Sequence, residues 1–433
     1  LDEVVVIGYG TTTRRHIISS VSTVNREALA NRPVANIQQA LQGTAANLII
    51  QTRNYDPTGG DQMNLSIRGV NTMGNNSPLV VIDGVPQAEA SRMNDINPND
   101  IESVNVLKDA GSAAIYGARS SNGVILITTR SGRKEVSPSI SFSAQVGAQD
   151  PHILWNPVPS YMNSILRNEA LVNSGRSPIF TAAEIQDMYA NGDCEPFVRQ
   201  AMQTALQQNY NVSVSGGTKH TTYMVSAGYF DQGSNYIGPD YGKQRYNVRS
   251  NITTEWGRFK VGANVNYTRA ETKQPTTSGF LFADLARFPT YHFFRTMDDN
   301  GVFYANNYKY GGCGAVLAGL VGGGYNKYDN EYISGTFNAD FEIIKGLKLR
   351  GVLSAESRNE HRFSDHLSYL VATDNGTAWA DPSSAVLSGS TTNPADDWVG
   401  KDTYLNSQVL LDFNRTFAEK HNVTALAGWS QES

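Results

Sequence analysis

The sequence predicts a mainly β chain in two parts, an α+β domain at the N-terminus followed by a transmembrane antiparallel β-barrel. Three observations predict it. From about residue 138 onward apolar and polar residues alternate with period two in segments of roughly ten residues, as in strands with lipid on one face and a polar lumen on the other. The connections between those segments alternate between short turns and long loops. The first third instead mixes short apolar runs, helical patterns and Gly- and Asn-rich turns.

In that first third, Ala35–Leu41 (ANIQQAL) reads as a short helix ending near Gly43. Leu65–Arg68 reads as a strand and Asn71–Pro78 as a turn-rich loop. Leu79–Ile82 (LVVI) is an apolar strand halted by Asp83-Gly84, a turn pair rather than a ligand site. Asp100 reads as the N-cap of a short helix or turn, Val104–Leu107 as a strand, Ala110–Tyr116 as a short helix and Gly123–Thr129 (GVILITT) as a strand.

The later strands are expected near 138–149, 207–216, 220–232, 242–255, 258–270, 331–344, 347–360, 403–416 and 421–432. Phe259, Val261, Ala263, Val265 and Tyr267 share one face of the clearest of them, and Lys260, Asn264, Asn266 and Thr268 the other. Short turns fall at Gly217–Lys219, Trp256-Gly257, Lys345-Gly346 and Phe417–Lys420, whereas long loops follow the first, fifth and seventh strands. The first long loop carries two helix-like stretches, Tyr161–Asn173 and Thr181–Asn191. A soluble β-sandwich also alternates, but the loop-length pattern favours the barrel. An odd number of strands cannot close a bacterial barrel, and an open edge in lipid leaves backbone groups unpaired. The expectation is therefore that the sequence stops mid-barrel at Ser433, and that more chain, or another chain, completes the wall.

Composition excludes several classes. The chain has 433 residues with 35 Lys+Arg against 40 Asp+Glu, a net charge of −5, which argues against a general nucleic-acid binder. Two cysteines exclude a disulfide framework and a Cys₄ zinc site. The most apolar run, Gly311–Tyr325, is too short for a membrane helix and rich in Gly. Catalysis finds no support: there is no His-Glu-x-x-His, His361 and His366 are poorly spaced for a metal, and Gly8-Tyr9-Gly10 lacks a phosphate-binding context. No catalytic residue, metal site or cofactor is expected.

Specific motifs add to this. Leu1–Thr11 (LDEVVVIGYGT), Pro33–Gly43 (PVANIQQALQG), Ser66–Gly69 followed by Pro78–Pro86 (PLVVIDGVP), Ile96–Ala110, Ala114–Gly117 and Asn122–Gly132 resemble, in order, the TonB-box and plug motifs of the SusC/RagA family of TonB-dependent outer-membrane transporters. Asn209–Gly217 and Thr222–Gln232 resemble that family's early barrel strands. The resemblance implies a TonB-box region at 1–12, a plug domain at 13–134 and the N-terminal part of the barrel at 135–433, within a full barrel of about 22 strands enclosing the plug. It implies energy from TonB with ExbB/ExbD, a SusD-like surface lipoprotein as lid, outer-membrane lipid around the wall, and an oligosaccharide or oligopeptide as substrate. A dimer of transporter–lid pairs in a Bacteroidetes-type outer membrane, with the N-terminus periplasmic, completes that expectation. The family's usual N-terminal extension does not precede Leu1 in this sequence.

Site residues follow from the two readings together. Val4, Val5, Val6 and Ile7 are all β-branched and lie between Asp2-Glu3 and Gly8, so this segment can add to a partner's sheet edge by main-chain hydrogen bonds. An ordinary first strand of the plug is the other reading of the same residues. Arg68, in an apolar setting, is the candidate plug–barrel latch; breaking such a buried pair from one side costs about 3–5 kcal/mol, and a partly exposed structural Arg is the alternative. Asn71, Asn75, Asn76, Arg92 and Asn94 lie in plug loops that can face the substrate, or that simply connect strands. Aromatics crowd the long loops, among them Phe280, Tyr304, Tyr369, Trp379 and Trp398, as sugar or peptide platforms or as loop packing and an interfacial girdle. Cys194 and Cys313 fall in loops on the same side, where an oxidising envelope permits a disulfide. A passive plugged porin, a surface adhesin and a secreted binding module are the competing functions.

Overall fold

The computed structural model of the chain describes residues 4–7, 10–13, 21–30, 32, 34, 36–54, 62–69, 74, 76–109, 113–153, 156–276, 285–286, 288–292, 303–304, 314–374, 380–389, 395–417 and 421–433. At its N-terminus β1 (Val4–Ile7) pairs antiparallel with β2 (Gly10–Thr13) as a separate two-stranded sheet.

The next domain is built from β3 (Val21–Asn25), α1 (Arg26–Ala30), α2 (Ile37–Leu41), the hairpin of β4 (Leu48–Asn54) and β5 (Gln62–Ile67), β6 (Leu79–Ile82), β7 (Val85–Pro86), β8 (Ile101–Leu107) and β9 (Val124–Thr129). Its main sheet has the order β3-β8-β9-β6-β7, with β6 and β9 parallel and the other neighbours antiparallel. Strand β9 is central, and its side chains alternate between two hydrophobic clusters. Ile125 and Ile127 pack with Val80, Val104 and Val106 on one face, and Val124 and Leu126 with Leu79, Val81 and Leu107 on the other. Burial on both faces explains why GVILITT reads as one continuous apolar run. Helix α2 starts where Asn36 caps it, its Oδ1 accepting from the Gln39 backbone N at 2.9 Å. The expected cap at Asp100 is corrected: Asn97 caps the 3₁₀ turn Pro98–Asp100, its Oδ1 accepting from Asn99 N at 3.0 Å, and Asp100 ends that turn. Asparagine at 97 is already extended and reaches the turn's first N–H, so the turn begins three residues earlier than a cap at Asp100 predicts.

The second part is one nine-stranded antiparallel sheet. It comprises β10 (Val136–Gln149), β11 (Ala205–Gly217), β12 (Thr221–Gly233), β13 (Gly242–Trp256), β14 (Phe259–Pro275), β16 (Gly324–Ile344), β17 (Leu347–His366), β20 (Ala395–Phe417) and β21 (His421–Glu432). The short strands β15 (Phe303–Tyr304), β18 (Ser368–Asp374) and β19 (Ala380–Gly389) form a separate sheet from the long loops. The first long loop holds α3 (Ser160–Asn173), α4 (Ala182–Asn191) and α5 (Phe197–Gln200); Thr181 and Glu184 form a reciprocal capping box on α4. The glycine-rich run forms α6 (Gly314–Gly322), with Leu317 and Leu320 fully buried, and then enters β16.

Side-chain parity divides the wall cleanly. Ile140, Phe142, Val146, Val248, Val265, Phe337, Val409 and Trp429 are exposed on the outer face, while Asn211, Ser213, Ser226, Asn247, Arg249, Asn266, Ser354 and Asn406 are buried on the inner one. An apolar outside and a polar inside is the pattern of a lipid-embedded barrel wall. Tyr210, Tyr229 and Tyr246 stand opposite one another on neighbouring strands with ring centroids 6.5 and 5.0 Å apart, and mark one border of the apolar band. Near the other border Phe259 stacks on Phe341 at 4.6 Å and Trp256 is 81% exposed.

Strands β16, β17 and β20 run further than the apolar periodicity predicts. Beyond Ile333 the outer face of β16 continues as Glu331, Asp329 and Lys327, and that of β20 carries Lys401 and Thr403 beyond Leu405. Backbone pairing continues above the lipid after the hydrophobic signal has ended, so the sequence pattern reports the membrane thickness rather than the strand length.

Depth along the wall sets the cost of a charge. Ala263→Arg, midway along the outer face of β14, is expected to destabilise the folded barrel by about 2–4 kcal/mol, and Trp256→Arg at the rim by about 0–1 kcal/mol. Urea-dependent folding of the protein into lipid vesicles measures both.

Candidate functional site

Chemistry concentrates at the seam between the α+β domain and the inner face of the wall. Asp83 and Gly84 link β6 to β7 with φ of 49° and 88°, the left-handed pair of a two-residue hairpin turn. That turn carries the Asp83 carboxylate to the wall. Its Oδ2 accepts from Arg249 Nη2 at 2.6 Å, Asn264 Nδ2 at 2.7 Å and Thr129 Oγ1 at 2.7 Å. Its Oδ1 accepts from the Thr129 backbone N at 2.8 Å, and Arg249 Nη2 also donates to Thr129 Oγ1 at 2.8 Å. The Arg249 side chain is 3% exposed and that of Asp83 21%. A buried ion pair with its lone pairs satisfied by further hydrogen bonds is held firmly in place.

Other contacts follow the same seam. The Asp95 carbonyl accepts from Thr268 Oγ1 at 2.7 Å and from Asn247 Nδ2 at 3.2 Å. Tyr404 donates to Pro86 O at 3.2 Å, Arg119 pairs with Glu432, and Lys134 with Glu255. At Gly228 of β12 an added Cβ would lie 2.4 Å from Asn97 Nδ2, so glycine there lets the domain approach the wall closely. Arg92, 7% exposed, places its guanidinium 5.8 Å from the centre of the Tyr332 ring. Arg92, Asp83, Gln87, Arg249, Tyr332 and Glu356 are among the residues around a polar cavity of about 30 Å³. Burial pushes the Asp95 and Asp100 carboxyls above the usual carboxylate range, against the lowering influence of nearby arginines.

The expected site residues fall as follows. Arg68, the expected latch, makes no ion pair with the nine described strands of the wall. It follows β5 in a turn, exposed with φ 62°, its backbone N donating to Asn47 O at 2.9 Å, and among the described residues no barrel carboxylate pairs with it. The pair across the seam has the opposite polarity, with the carboxylate on the domain and the guanidinium on the wall. A left-handed turn turns Arg68 out of the sheet, which explains the difference. Arg92 lies in the seam, Asn94 is half-buried with an unpartnered Oδ1, and Asn76 donates to Gly74 O at 3.0 Å. Asn71, Asn75, Asp2, Glu3, Gly8 and Cys313 lie outside the described residues, so the Cys194–Cys313 pairing does too. Val4–Ile7 form β1, paired with β2 and apart from the five-stranded sheet. Asp83, Thr129, Arg249 and Asn264 were not singled out from sequence. The available signal was parity, since Arg249 and Asn264 occupy inner-face positions of alternating strands.

A sheet domain bound to the polar inner face of an antiparallel barrel wall defines a plugged outer-membrane receptor. Residues 13–124 match the TonB-dependent receptor plug domain family. The TonB-dependent receptor SusC of Bacteroides thetaiotaomicron is 30% identical over 67% of this chain and 28% of its own length. The TonB-dependent receptor P26 of Formosa agariphila is 29% identical over 99% of this chain and 41% of its own length. A structure of the RagAB peptide importer in the 'open-open' state superposes with a TM-score of 0.75 and 26% identity, over 99% of this chain and 48% of that one. The chain is of the SusC/RagA type of TonB-dependent transporter, with a plug domain and a nine-stranded antiparallel sheet that does not close. It spans less than half the length of these relatives.

Removing one partner strands the other. Asp83→Ala is expected to weaken plug docking by about 3 kcal/mol and to raise ion conductance of the receptor in planar bilayers, whereas Arg68→Ala leaves conductance unchanged. Asp100 gives a pH test. Its folded pKa is raised above the ordinary 3.8, so its contribution to stability is fully present below that value and is lost as pH rises through the raised one. Thermal melts from pH 4 upward should show this loss, and Asp100→Asn should remove it and stabilise the plug at neutral pH.

Proposed function

We propose that this chain is the energy-coupled plug and wall of an importer that takes a nutrient oligomer, an oligosaccharide or an oligopeptide, across the bacterial outer membrane. The observation that carries this reading is the seam: a plug bound to the inner wall by a few hydrogen-bonded polar contacts around Asp83, with a separate two-stranded sheet at its N-terminal end. Asp2–Gly8 is the TonB-binding segment in this reading, presenting Val4–Ile7 to a partner's sheet edge. Main-chain bonding of that kind resists pulling along the strand. Substrate binds above the plug beneath a SusD-like surface lipoprotein, as the RagAB and SusC relatives support. Force applied from the periplasm then remodels the plug, and the substrate passes along the polar inner face.

The seam suits this cycle. Each neutral hydrogen bond contributes roughly 1 kcal/mol net, because water replaces a lost partner, so the contacts can break in turn and re-form. Deleting Asp2–Gly8 is expected to abolish uptake while leaving substrate binding intact. Transport of labelled substrate into cells with and without a collapsed proton gradient provides the measurement. Uptake that persists after the deletion, or after the gradient is collapsed, belongs to a passive pore.

A further inference from the structure

Above the plug, the inner face of the wall carries an ordered panel that plug docking does not use. Tyr328 of β16, Arg362 of β17 and Trp398 of β20 stand directly opposite one another. The row beyond is Asn326–Ser364–Asp396, and the row towards the plug is Asn330–Glu360–Gly400. Parity places all nine on the same face as Tyr332 and Glu356, which line the plug seam. Tyr328 lies four residues beyond Tyr332 along β16, about 13 Å further from the plug at the usual strand rise.

The panel is shaped. Trp398 is 52% exposed, and its indole lies across Gly400, where an added Cβ would be 2.3 Å from Cη2. Glycine thus lets the ring lie along the wall with a face towards the lumen. The Arg362 guanidinium lies over the Tyr328 ring at 5.4 Å, which fixes its orientation. Tyr328, Glu360, Arg362, Ser364, Asp396 and Trp398 enclose a cleft of about 430 Å³. Among the described residues neither Glu360 nor Asp396 forms an ion pair.

We infer that this panel is a wall subsite for a neutral sugar ring of the transported substrate. The inference rests on the import reading and chooses between its two substrate classes. In the cleft two carboxylates accept, one guanidinium donates, and the Ser364 hydroxyl does both. Hydroxyl groups do both, so a polyhydroxylated neutral ring satisfies the whole set while its C–H face packs on Trp398. An anion meets Glu360 and Asp396, and a cation meets Arg362, so each charged guest is opposed by part of the lining.

The test uses the whole receptor in detergent and reads binding by calorimetry, which needs neither TonB nor energy. Its probes are neutral hexasaccharides of α-1,4-glucan, β-1,3-glucan, β-1,4-xylan and β-2,1-fructan, and a tryptic casein digest. At least one hexasaccharide is expected to bind. Trp398→Ala and Glu360→Gln should each weaken it about tenfold, equivalent to roughly 1.4 kcal/mol. Trp398→Phe should retain most affinity, and Val399→Ala, on the outer face, all of it. Heat-dependent gel migration checks that every variant is folded. Binding by peptides alone, by no hexasaccharide, or with unchanged affinity in folded Trp398→Ala overturns the subsite. Energised uptake that requires Asp2–Gly8 would survive that result, so failure here is distinguishable from failure of the import reading.

Discussion

A barrel wall has lipid on one side and a hydrated plug on the other, and this constraint shapes the rest of the structure. Every backbone group in the lipid zone must bond within the sheet. The side chains carry the remaining chemistry, and they can only alternate. Positions facing lipid are apolar, so the positions between them become the plug's docking surface. Arg249, Asn264, Asn247 and Thr268 are inner-face residues of β13 and β14, and they contact the plug for that reason.

A polar seam has mechanical consequences that an apolar one would not. Apolar surfaces separate at a cost proportional to the area exposed, about 25 cal/mol per Å², with no water-mediated compensation. Hydrogen bonds and exposed ion pairs exchange with water at small net cost. Among the described residues only the Asp83–Arg249 pair across the seam is buried enough to be expensive to break from one side. The plug is therefore held by one strong anchor among several weak contacts.

Much of the fold was legible in the sequence because period two is dictated by the lipid. Six of the nine wall strands could be located to within about five residues at both ends, and the stretches Tyr161–Asn173 and Thr181–Asn191 were legible as helix-like. The upper ends of β16, β17 and β20 were not, because their outer faces are charged above the membrane. The seam was less legible still. Asp83 reads correctly as a turn residue, and nothing local says that the turn points its carboxylate at residues some 166 positions later in the chain. Arg68 offered the more conspicuous charge in an apolar setting, but its left-handed backbone places it at the surface. Pairing across a seam depends on how two domains meet, which no local window encodes.

The topology separates where force enters from where the plug is held. Under the import reading, tension on the N-terminus reaches β3 before any other strand of the plug sheet. In the order β3-β8-β9-β6-β7, β3 is an edge strand that among the described residues is bonded only to β8, over five residue pairs from Val21↔Leu107 to Asn25↔Ser103. The Asp83 anchor lies at the opposite edge, on the β6–β7 turn. Strand β9, packed on both faces, stands between them. An edge strand has half the hydrogen bonds of a central one and no second neighbour to hold it, so β3 yields before β9 loses either of its packed faces. The weak edge can thus peel away while the buried ion pair keeps the remainder registered on the wall. A plug opened in this way gives passage along one side and refolds against a template that has not moved.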